Sequence, residues 1–232
     1  MRRCIPANTA FLSPREQQLA RYLFGEGPEL IFFGGYPQSE RQMLCYLPDY
    51  LDSSTLWEEN GPVCCLRATF YEGDCPTHRD FLGALMGLGL SRDTIGDILV
   101  DQSRCDFFTT REMVPFLLQN FTHAGRATLH LERIDLQQAH IPPQKFHIIS
   151  DTLASLRLDS VVSSGFRISR SAAATAIGAG KVSIDGLPCE KPDRPVQPGN
   201  RISLRGSGKI LFASAGALTK KGRIPVQLHR FE

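Results

Sequence analysis

The segment from residue 155 to residue 186 restricts the fold of this chain more than any other, because it predicts two short helices followed by a tight β-hairpin. Ser169 occupies an N-cap position, and Gly178 and Gly180 predict the end of the second helix. Asp185-Gly186 is a dipeptide that strongly favours a hairpin turn. The apolar residues that suggest the helical faces are Leu153, Leu156, Val161 and Val162 for the first helix, and Ala172, Ala173, Ala176 and Ile177 for the second.

Basic side chains occupy the polar positions of this module. Arg157 lies in the first helix, Arg170 lies in the first turn of the second helix, and Lys181 opens the strand. A positive charge in the first turn of a helix opposes the helix dipole, so Arg170 costs some stability where it stands. A polyanion that contacted Arg170 and the free backbone N–H groups of that turn would reverse the balance. The pattern therefore indicates a surface for a polyanion.

Charge is distributed unevenly along the chain, although the formal net charge is only +2. Residues 1–150 contain 13 Lys and Arg against 18 Asp and Glu, whereas residues 151–232 contain 13 against 6. An asymmetry of this kind suggests a basic module that meets nucleic acid, attached to a body of different charge. A solvated surface that is rich in lysine and arginine would produce the same count.

The C-terminal part contains four short motifs: R-L-D at 157–159, S-R at 169–170, G-K-V-S-I-D-G at 180–186 and P-G-N-R-I at 198–202. Together they resemble the S4 RNA-binding domain. S4 domains more often have Asn before the hairpin glycine, where this chain has Asp185. The resemblance implies a C-terminal S4 (αL) domain over residues 151–232 with a basic C-terminal extension. It also implies that this domain binds folded RNA.

Residues 1–62 are predicted to form a small, mostly helical N-terminal segment. Ser13-Pro14-Arg15-Glu16 has the pattern of a capping box with proline at the first helical position. An apolar run at 29–33 predicts a short strand that ends at Gly34-Gly35, and a second helix is expected over 39–47. We interpret the glycine pair as a tight turn, because the later glycine and the acidic residue of a cofactor loop are missing.

Residues 63–139 are predicted to form a ferredoxin-like domain, because strands and helices alternate there in the order β-α-β-β-α-β. The strands are expected at 63–71, 98–100, 106–108 and 127–131, with helices after positions 80 and 110. Pro115 conflicts with the second of these helices, because proline lacks a backbone donor, so we expect a kink or a later helix start. The chain as a whole is therefore assigned to the α+β class.

The same topology occurs in RRM domains, which stack RNA bases on aromatic residues of the sheet. Phe107 and Phe108 lie on the third predicted strand, but the basic, glycine-rich surroundings of an RNP motif are missing, so we interpret both as core residues. Arg92 is a second candidate for RNA contact in this domain. Asp93 and Asp97 lie close to Arg92 in sequence, so a structural ion pair is an equally good interpretation.

Four motifs follow one another along the chain: Gly34-Gly35-Tyr36 with Glu40-Arg41, residues 81–89 with 96–100, residues 155–159, and Thr219-Lys220-Lys221-Gly222-Arg223. Taken in this order, they resemble the bacterial YlmH family over almost the whole chain. This resemblance implies an N-terminal helical segment, a ferredoxin-like RNA-binding domain and an S4 domain. It also implies a non-enzymatic role on the large ribosomal subunit, in contact with peptidyl-tRNA when translation has stalled.

The alternative function is that of an RNA-modifying enzyme from one of two classes that carry S4 modules. Pseudouridine synthases have a catalytic R-L-D, but here the triplet lies within the module, and only 73 residues follow Asp159. We therefore interpret Asp159 as a partner for a nearby arginine. A methyltransferase would need a parallel sheet with a glycine loop, which the order of elements in the middle domain does not predict. The six histidines are scattered, so no catalytic residue is assigned.

The sequence therefore favours non-catalytic binding of structured RNA, with shape and phosphate contacts outweighing base reading. The expected partners are ribosomal RNA, peptidyl-tRNA and the large ribosomal subunit, with no cofactor, no metal, no membrane and no DNA. The candidate RNA-binding residues are Arg157, Ser169, Arg170, Ser171, Lys181, Asp185, Arg205, Lys209, Lys220, Lys221 and Arg223.

The cysteines and the N-terminus indicate a cytoplasmic protein. The chain has seven cysteines, an odd number, with no C-x-x-C spacing, which fits a reduced compartment. Arg2 and Arg3 precede a polar stretch with proline rather than an apolar core, so no signal peptide is expected. Cys75 and His78 are three residues apart, but no second ligand pair follows them, so a metal site is not expected.

Overall fold

The computed structural model of the chain describes residues 5–25, 27–143 and 145–231. Between positions 142 and 143 the chain divides into two compact units. The helices of the first unit are α1 (Pro14–Phe24), α2 (His78–Gly87) and α3 (Val114–Asn120). Its strands are β1 (Ala7–Asn8), β2 (Leu30–Phe33), β3 (Met43–Tyr46), β4 (Val63–Thr69), β5 (Ile95–Val100), β6 (Arg104–Thr110), β7 (His123–Ala124), β8 (Ala127–Thr128) and β9 (His130–Ile134).

The centre of the first unit is an antiparallel sheet with the strand order β5-β6-β4-β9. Helix α2 connects β4 to β5, and α3 follows β6, so the predicted ferredoxin-like order is confirmed. Helix α3 begins at Val114 after a 3-10 turn at Arg111–Met113, which places Pro115 in its first turn. The first N–H groups of a helix have no partner within the helix, so the missing N–H of Pro115 costs little in the first turn. The helix therefore starts later than the end of β6, where the proline is tolerated.

The N-terminal part of the first unit contains a sheet of strands β1, β3 and β2 beside helix α1. The capping box at Ser13 is confirmed, because its hydroxyl accepts from the backbone N–H of Glu16 and the Glu16 carboxylate accepts from that of Ser13. The predicted helix over 39–47 is wrong, and so is the description of this segment as mostly helical. Met43, Leu44 and Cys45 are all buried, because β3 lies between two strands and is covered on both faces, so its sequence shows no alternation.

This N-terminal layer covers one face of the ferredoxin-like sheet, while α2 and α3 cover the other. Phe107 packs toward the helices, and Phe108 packs against the N-terminal layer beside Phe11 and Met43. Both phenylalanines are fully buried, so their interpretation as core residues is confirmed. The central strand β4 is therefore apolar on both faces over most of its length rather than alternating.

The second unit is an antiparallel sheet with two helices, α4 (Leu158–Phe166) and α5 (Arg170–Gly178), packed on one face. The sheet order is β10-β15-β14-β13-β11-β12. The strands are β10 (Phe146–Leu153), β11 (Val182–Ile184), β12 (Leu187–Pro188), β13 (Arg201–Leu204), β14 (Gly208–Ala215) and β15 (Ile224–Phe231).

The cap and the hairpin turn predicted for the second unit are confirmed, whereas the predicted start of its first helix is wrong. Ser169 caps α5 by accepting from the backbone N–H of Ala172, and Asp185 and Gly186 have the positive φ angles, 49° and 84°, that a two-residue hairpin turn requires. The first helix begins at Leu158 rather than near Leu153. Leu153 ends β10 instead, because that strand pairs with β15 over its whole length. Across the described residues, no helix is both long and apolar enough to span a membrane.

Replacing Phe108 by Ala should lower the free energy of unfolding of the first unit by about 3–5 kcal/mol, because its ring is fully buried beneath the N-terminal layer. Trp57 is the single tryptophan, and it packs edge-on against Phe33 with 5.0 Å between ring centroids. Its fluorescence during urea unfolding therefore reports on this layer. Phe116→Ala is the control, because Phe116 on α3 is 40% exposed. Equal losses for the two variants would contradict the buried layer.

Candidate nucleic-acid interface

A buried carboxylate at the start of α4 holds two arginines on the surface of the second unit. The Arg157 Nε donates to Asp159 Oδ1 at 3.3 Å, and the Arg170 Nε donates to Asp159 Oδ2 at 3.1 Å. The side chain of Asp159 is only 7% exposed, whereas those of Arg157 and Arg170 are 43% and 54% exposed. The interpretation of Asp159 as a partner for a nearby arginine is thus confirmed, with two arginines rather than one.

The electrostatics of Asp159 follow from these contacts. Burial alone would raise the pKa of Asp159, but the hydrogen bonds from Arg170 and Arg157 outweigh burial, so its pKa is lowered. The Ser160 hydroxyl lies 3.3 Å from the same carboxylate. The carboxylate is therefore ionised at neutral pH and keeps both guanidinium groups on one surface, where their outer N–H donors face solvent.

The N-terminus of α5 contributes hydroxyl groups next to Arg170. The Ser169 Oγ accepts from the Ala172 backbone N–H at 3.1 Å and lies 3.0 Å from the Ser171 Oγ. The Ser169 hydroxyl is therefore occupied as the N-cap of α5, whereas Ser171 is exposed beside it. Ser171, Arg170 and Arg157 therefore share the surface near the junction of the two helices.

Lys181 and Arg205 are brought together although they are 24 positions apart in the sequence. The Arg205 backbone N–H donates to the Lys181 carbonyl at 2.9 Å, and both residues are exposed. Arg205 lies in the turn between β13 and β14, and Lys181 precedes β11. Two exposed positive residues thus lie beside each other where β11 begins and β13 ends.

Lys209 is not on the helix-bearing face of the sheet. It is paired with Ser203 in the register of β13 and β14, and it alternates with Ile210, which is fully buried beneath the helices. Side chains that alternate along a strand point to opposite faces, so Lys209 points to the face without helices. Lys209 therefore lies on the other side of the sheet from α4 and α5, and its assignment to RNA binding stays a prediction.

Asp185 and Arg223 both have contacts within the protein. The two carboxylate oxygens of Asp185 accept from the Asn200 side-chain amide at 2.7 Å and from the Arg201 backbone N–H at 2.8 Å, which fastens the β11–β12 hairpin to the start of β13. The Arg223 guanidinium donates to the carbonyl and hydroxyl of Thr152 on β10. Both residues hold loops in place, and their assignment to RNA binding stays a prediction.

Lys220 and Lys221 lie exposed in the loop between β14 and β15. The loop is closed by hydrogen bonds between Thr219 and Arg223, including one from the Thr219 N–H to the Arg223 carbonyl at 2.7 Å. The Arg223 contact with Thr152 then fastens this loop to β10. The structure therefore presents the two lysines on an ordered loop that is separate from the Arg157–Arg170 pair in sequence.

In the first unit, the sheet face that an RRM would use is covered. Phe108 stacks on Tyr36 of the N-terminal layer, with 5.1 Å between ring centroids. Base stacking on a sheet needs an exposed aromatic ring, so this face is closed to that mode of RNA binding. Arg92 donates to the carbonyls of Ile95 and Gly96 at 2.6 and 3.2 Å. An ion pair with Asp97 is not formed.

Asp97 instead fastens the loop that follows β2, a contact that sequence reasoning missed. Its carboxylate accepts from the Tyr36 hydroxyl at 2.8 Å and from the backbone N–H groups of Glu40 and Arg41 at 2.6 and 3.0 Å. The Arg41 Nε donates to the Ile95 carbonyl at 3.0 Å. The two segments around positions 34–41 and 96–100, both part of the YlmH resemblance, are thus in contact. Their joint occurrence in the sequence is the signal from which this contact could have been predicted.

The residues that the structure describes form no metal site, and three of their buried thiols are not activated. In that part of the chain, no three His, Cys, Asp or Glu side chains are arranged to hold a metal ion. Burial raises the pKa of Cys45 to about 12, and it raises the pKa of Cys65 and Cys105 as well. These thiols therefore stay protonated and pack as small apolar side chains.

Comparisons with known proteins give matches to both units. Residues 75–138 match the family model described as "Putative RNA-binding domain in YlmH", and residues 156–202 match the model of the S4 domain. The "Ribosome-associated protein quality control protein P2" of Bacillus subtilis (strain 168) is 33% identical over 224 residues, which cover 96% of this chain and 86% of that protein. The solved structure "Cell division protein ylmH from Streptococcus pneumoniae" is 22% identical with a TM-score of 0.47, and the match covers 59% of this chain and 82% of that chain.

Replacing Asp159 by Asn should lower the free energy of unfolding of the second unit by about 1–3 kcal/mol at pH 7, because two charge-assisted hydrogen bonds are weakened. The folded state lowers the pKa of Asp159, so its stabilisation is present above about pH 4 and is lost as the pH falls through the lowered value. The difference between parent and variant should therefore shrink below pH 4.

The measurement is urea unfolding at pH 7 and at pH 3. At each urea concentration, a short hydrogen-exchange pulse at one fixed pH reports the fraction of molecules in which α4 is unfolded. Asp193→Asn is the matched control, because Asp193 is an exposed carboxylate in the same unit. The control should resemble the parent at both pH values. An Asp159→Asn variant as stable as the parent at pH 7 would contradict the role of this carboxylate.

Proposed function

This chain belongs to the YlmH family of S4-domain RNA-binding proteins, and we propose that it binds structured RNA, without converting it chemically, through the surface around Arg157 and Arg170. The observation that carries this proposal is the buried Asp159 carboxylate, which orients both guanidinium groups while leaving about half of each exposed. Arginine binds phosphate through paired N–H donors in a fixed plane. Two arginines held in this way are prepared to contact neighbouring phosphates of a folded RNA.

Adjacent residues would extend the contact. Ser171 offers a hydroxyl beside Arg170, and Lys181 and Arg205 add positive charge at the edge of the module. The base edges in the deep major groove of helical RNA are poorly accessible to side chains. Phosphate and 2′-hydroxyl contacts therefore carry most recognition of a folded RNA. Lys220 and Lys221 provide a second basic point on the loop after β14. We infer that recognition depends on RNA shape rather than on base sequence.

The proposed target is ribosomal RNA and peptidyl-tRNA on the large ribosomal subunit when translation has stalled, in the cytoplasm. The support is the name of the Bacillus subtilis relative, which describes it as ribosome-associated and as acting in protein quality control. Similarity to that relative extends over 96% of this chain, so both units are included in the comparison. The basic character of residues 151–232 is consistent with a partner that is a polyanion.

A binding role rather than catalysis also agrees with the contacts of Asp159. A catalytic aspartate in an RNA-modifying enzyme has to reach a nucleotide with a free carboxylate oxygen. Asp159 is buried, and its two oxygens accept from Arg157 and Arg170. The R-L-D triplet therefore serves to position the two arginines in this proposal.

Changing Arg157 and Arg170 together to Ala should weaken binding to ribosomal particles and flatten its dependence on salt. Each phosphate contact releases about one counterion, so loss of two contacts should reduce the slope of log K against log salt by about 1.5. The measurement is cosedimentation of the full chain with purified ribosomal particles across a series of salt concentrations.

The matched control is Arg15→Ala with Arg79→Ala, which makes the same change in net charge at two exposed residues of the first unit. This control should retain the salt slope of the parent. If the Arg157/Arg170 variant cosediments like the parent at every salt concentration, the assigned surface is wrong.

Incubating the protein with ribosomal RNA and with the common methyl donor S-adenosylmethionine should leave the RNA unmodified. Chemical mapping of pseudouridine and mass spectrometry of the nucleosides test for the two enzyme classes that carry S4 modules. A modification that approaches one per RNA molecule would contradict the non-catalytic role.

A further inference from the structure

The sheet of the second unit has one face without helices, here called the open face. Helices α4 and α5 pack on the other face, where Ile149, Ile210 and Leu228 are buried. Side chains that alternate with these residues along the strands point to the open face. Those used below are Phe146, Ile148, Arg201, Lys209, Gln227 and His229.

Two rings form a stacked pair on the open face. Phe146 of β10 and His229 of β15 lie with their ring planes 3° apart and their centroids separated by 4.4 Å. Phe146 is 41% exposed, and the adjacent Ile148 is 52% exposed. A flat aromatic surface of this kind, half open to solvent, can accept the face of a further planar ring.

The charge of the open face suits a polyanion. Arg201 and Lys209 lie on it, and no Asp or Glu alternates onto it from the described parts of the five strands β10, β11, β13, β14 and β15. The surface is therefore basic and aromatic at the same time. A carboxylate-bearing partner would leave the stacked rings unused, and an apolar partner would remove two cationic side chains from water, which costs free energy.

A groove lined by strands β10, β14 and β15 lies beside the start of the loop that carries Lys220 and Lys221. Its volume is about 620 Å³, and Ser150, Thr152 and Gln227 contribute side chains to it. One carboxylate, Asp151, lines its edge, and the Ser164 hydroxyl of α4 donates to that carboxylate at 2.7 Å. Hydroxyl and amide groups in such a groove can hydrogen-bond to bases or to 2′-hydroxyl groups.

We propose that the open face binds a single-stranded RNA segment, with a base stacked on the Phe146–His229 pair and the backbone directed along Arg201 and Lys209. Stacking of bases on sheet aromatics combined with a basic path is the general mode by which proteins hold single-stranded nucleic acid. This site lies on the opposite face of the sheet from α4 and α5. It goes beyond the proposed function and does not depend on Arg157 or Arg170.

The experiment measures binding of the full chain to a fluorescein-labelled ten-nucleotide uridine RNA by fluorescence anisotropy. Phe146→Leu removes the ring and keeps an apolar side chain, and it should weaken binding about tenfold. Phe146→Trp should restore binding, because it restores a planar ring. Gln227→Glu adds one negative charge with almost no change in shape, and it should weaken binding about threefold.

Gln137→Glu is the matched control, because it makes the same charge change at an exposed residue of the first unit and should bind like the parent. The Arg157/Arg170 double variant should also retain uridine binding, whereas its binding to ribosomal particles is the test of the proposed function. The proposal is overturned if the parent does not bind the uridine RNA, or if Phe146→Leu and Gln227→Glu both bind like the parent. It is also overturned if the double variant abolishes binding, or if sedimentation shows the open face buried between two copies of the chain.

Discussion

The Asp159 carboxylate is the contact on which the arrangement of the second unit depends. The backbone N–H groups of Leu158 and Asp159 donate to the carbonyls of Arg194 and Pro192, both at 2.9 Å. The first turn of α4 is therefore satisfied by a neighbouring loop rather than by a capping side chain. A buried carboxylate in that place requires positive partners, and Arg157 and Arg170 supply them. One acidic residue thus determines where two cations stand on the surface.

The first unit places its core on both sides of one sheet, which limits how it can meet RNA. The helix side is closed by α2 and α3, and the other side is closed by the layer that contains Phe11 and Met43. Asp97 fastens the loop of that layer to β5, so the cover is held by hydrogen bonds as well as by apolar packing. Any RNA contact made by this unit must therefore use loops or helix surfaces. The second unit, in contrast, leaves one sheet face uncovered.

Features determined by neighbouring residues were predictable from the sequence, and features determined by distant contacts were not. The cap at Ser169, the hairpin turn at Asp185-Gly186 and the late start of α3, with Pro115 in its first turn, each follow from local backbone chemistry. The strand at 43–46 is not recognisable from the sequence, because a strand buried on both faces shows no period of two.

The candidate site shows the same division. Arg157, Arg170 and their partner Asp159 could be inferred because they lie within one short segment. The internal contacts of Asp185 and Arg223, and the position of Lys209 on the open face, depend on strand pairing across the sheet, which the sequence does not reveal residue by residue. Ultraviolet crosslinking in cells, followed by mass spectrometry of RNA-bearing peptides, tests the central claim most directly. The account predicts adducts on peptides that carry Arg170 or Lys181, and a map with adducts only in residues 5–142 would contradict it.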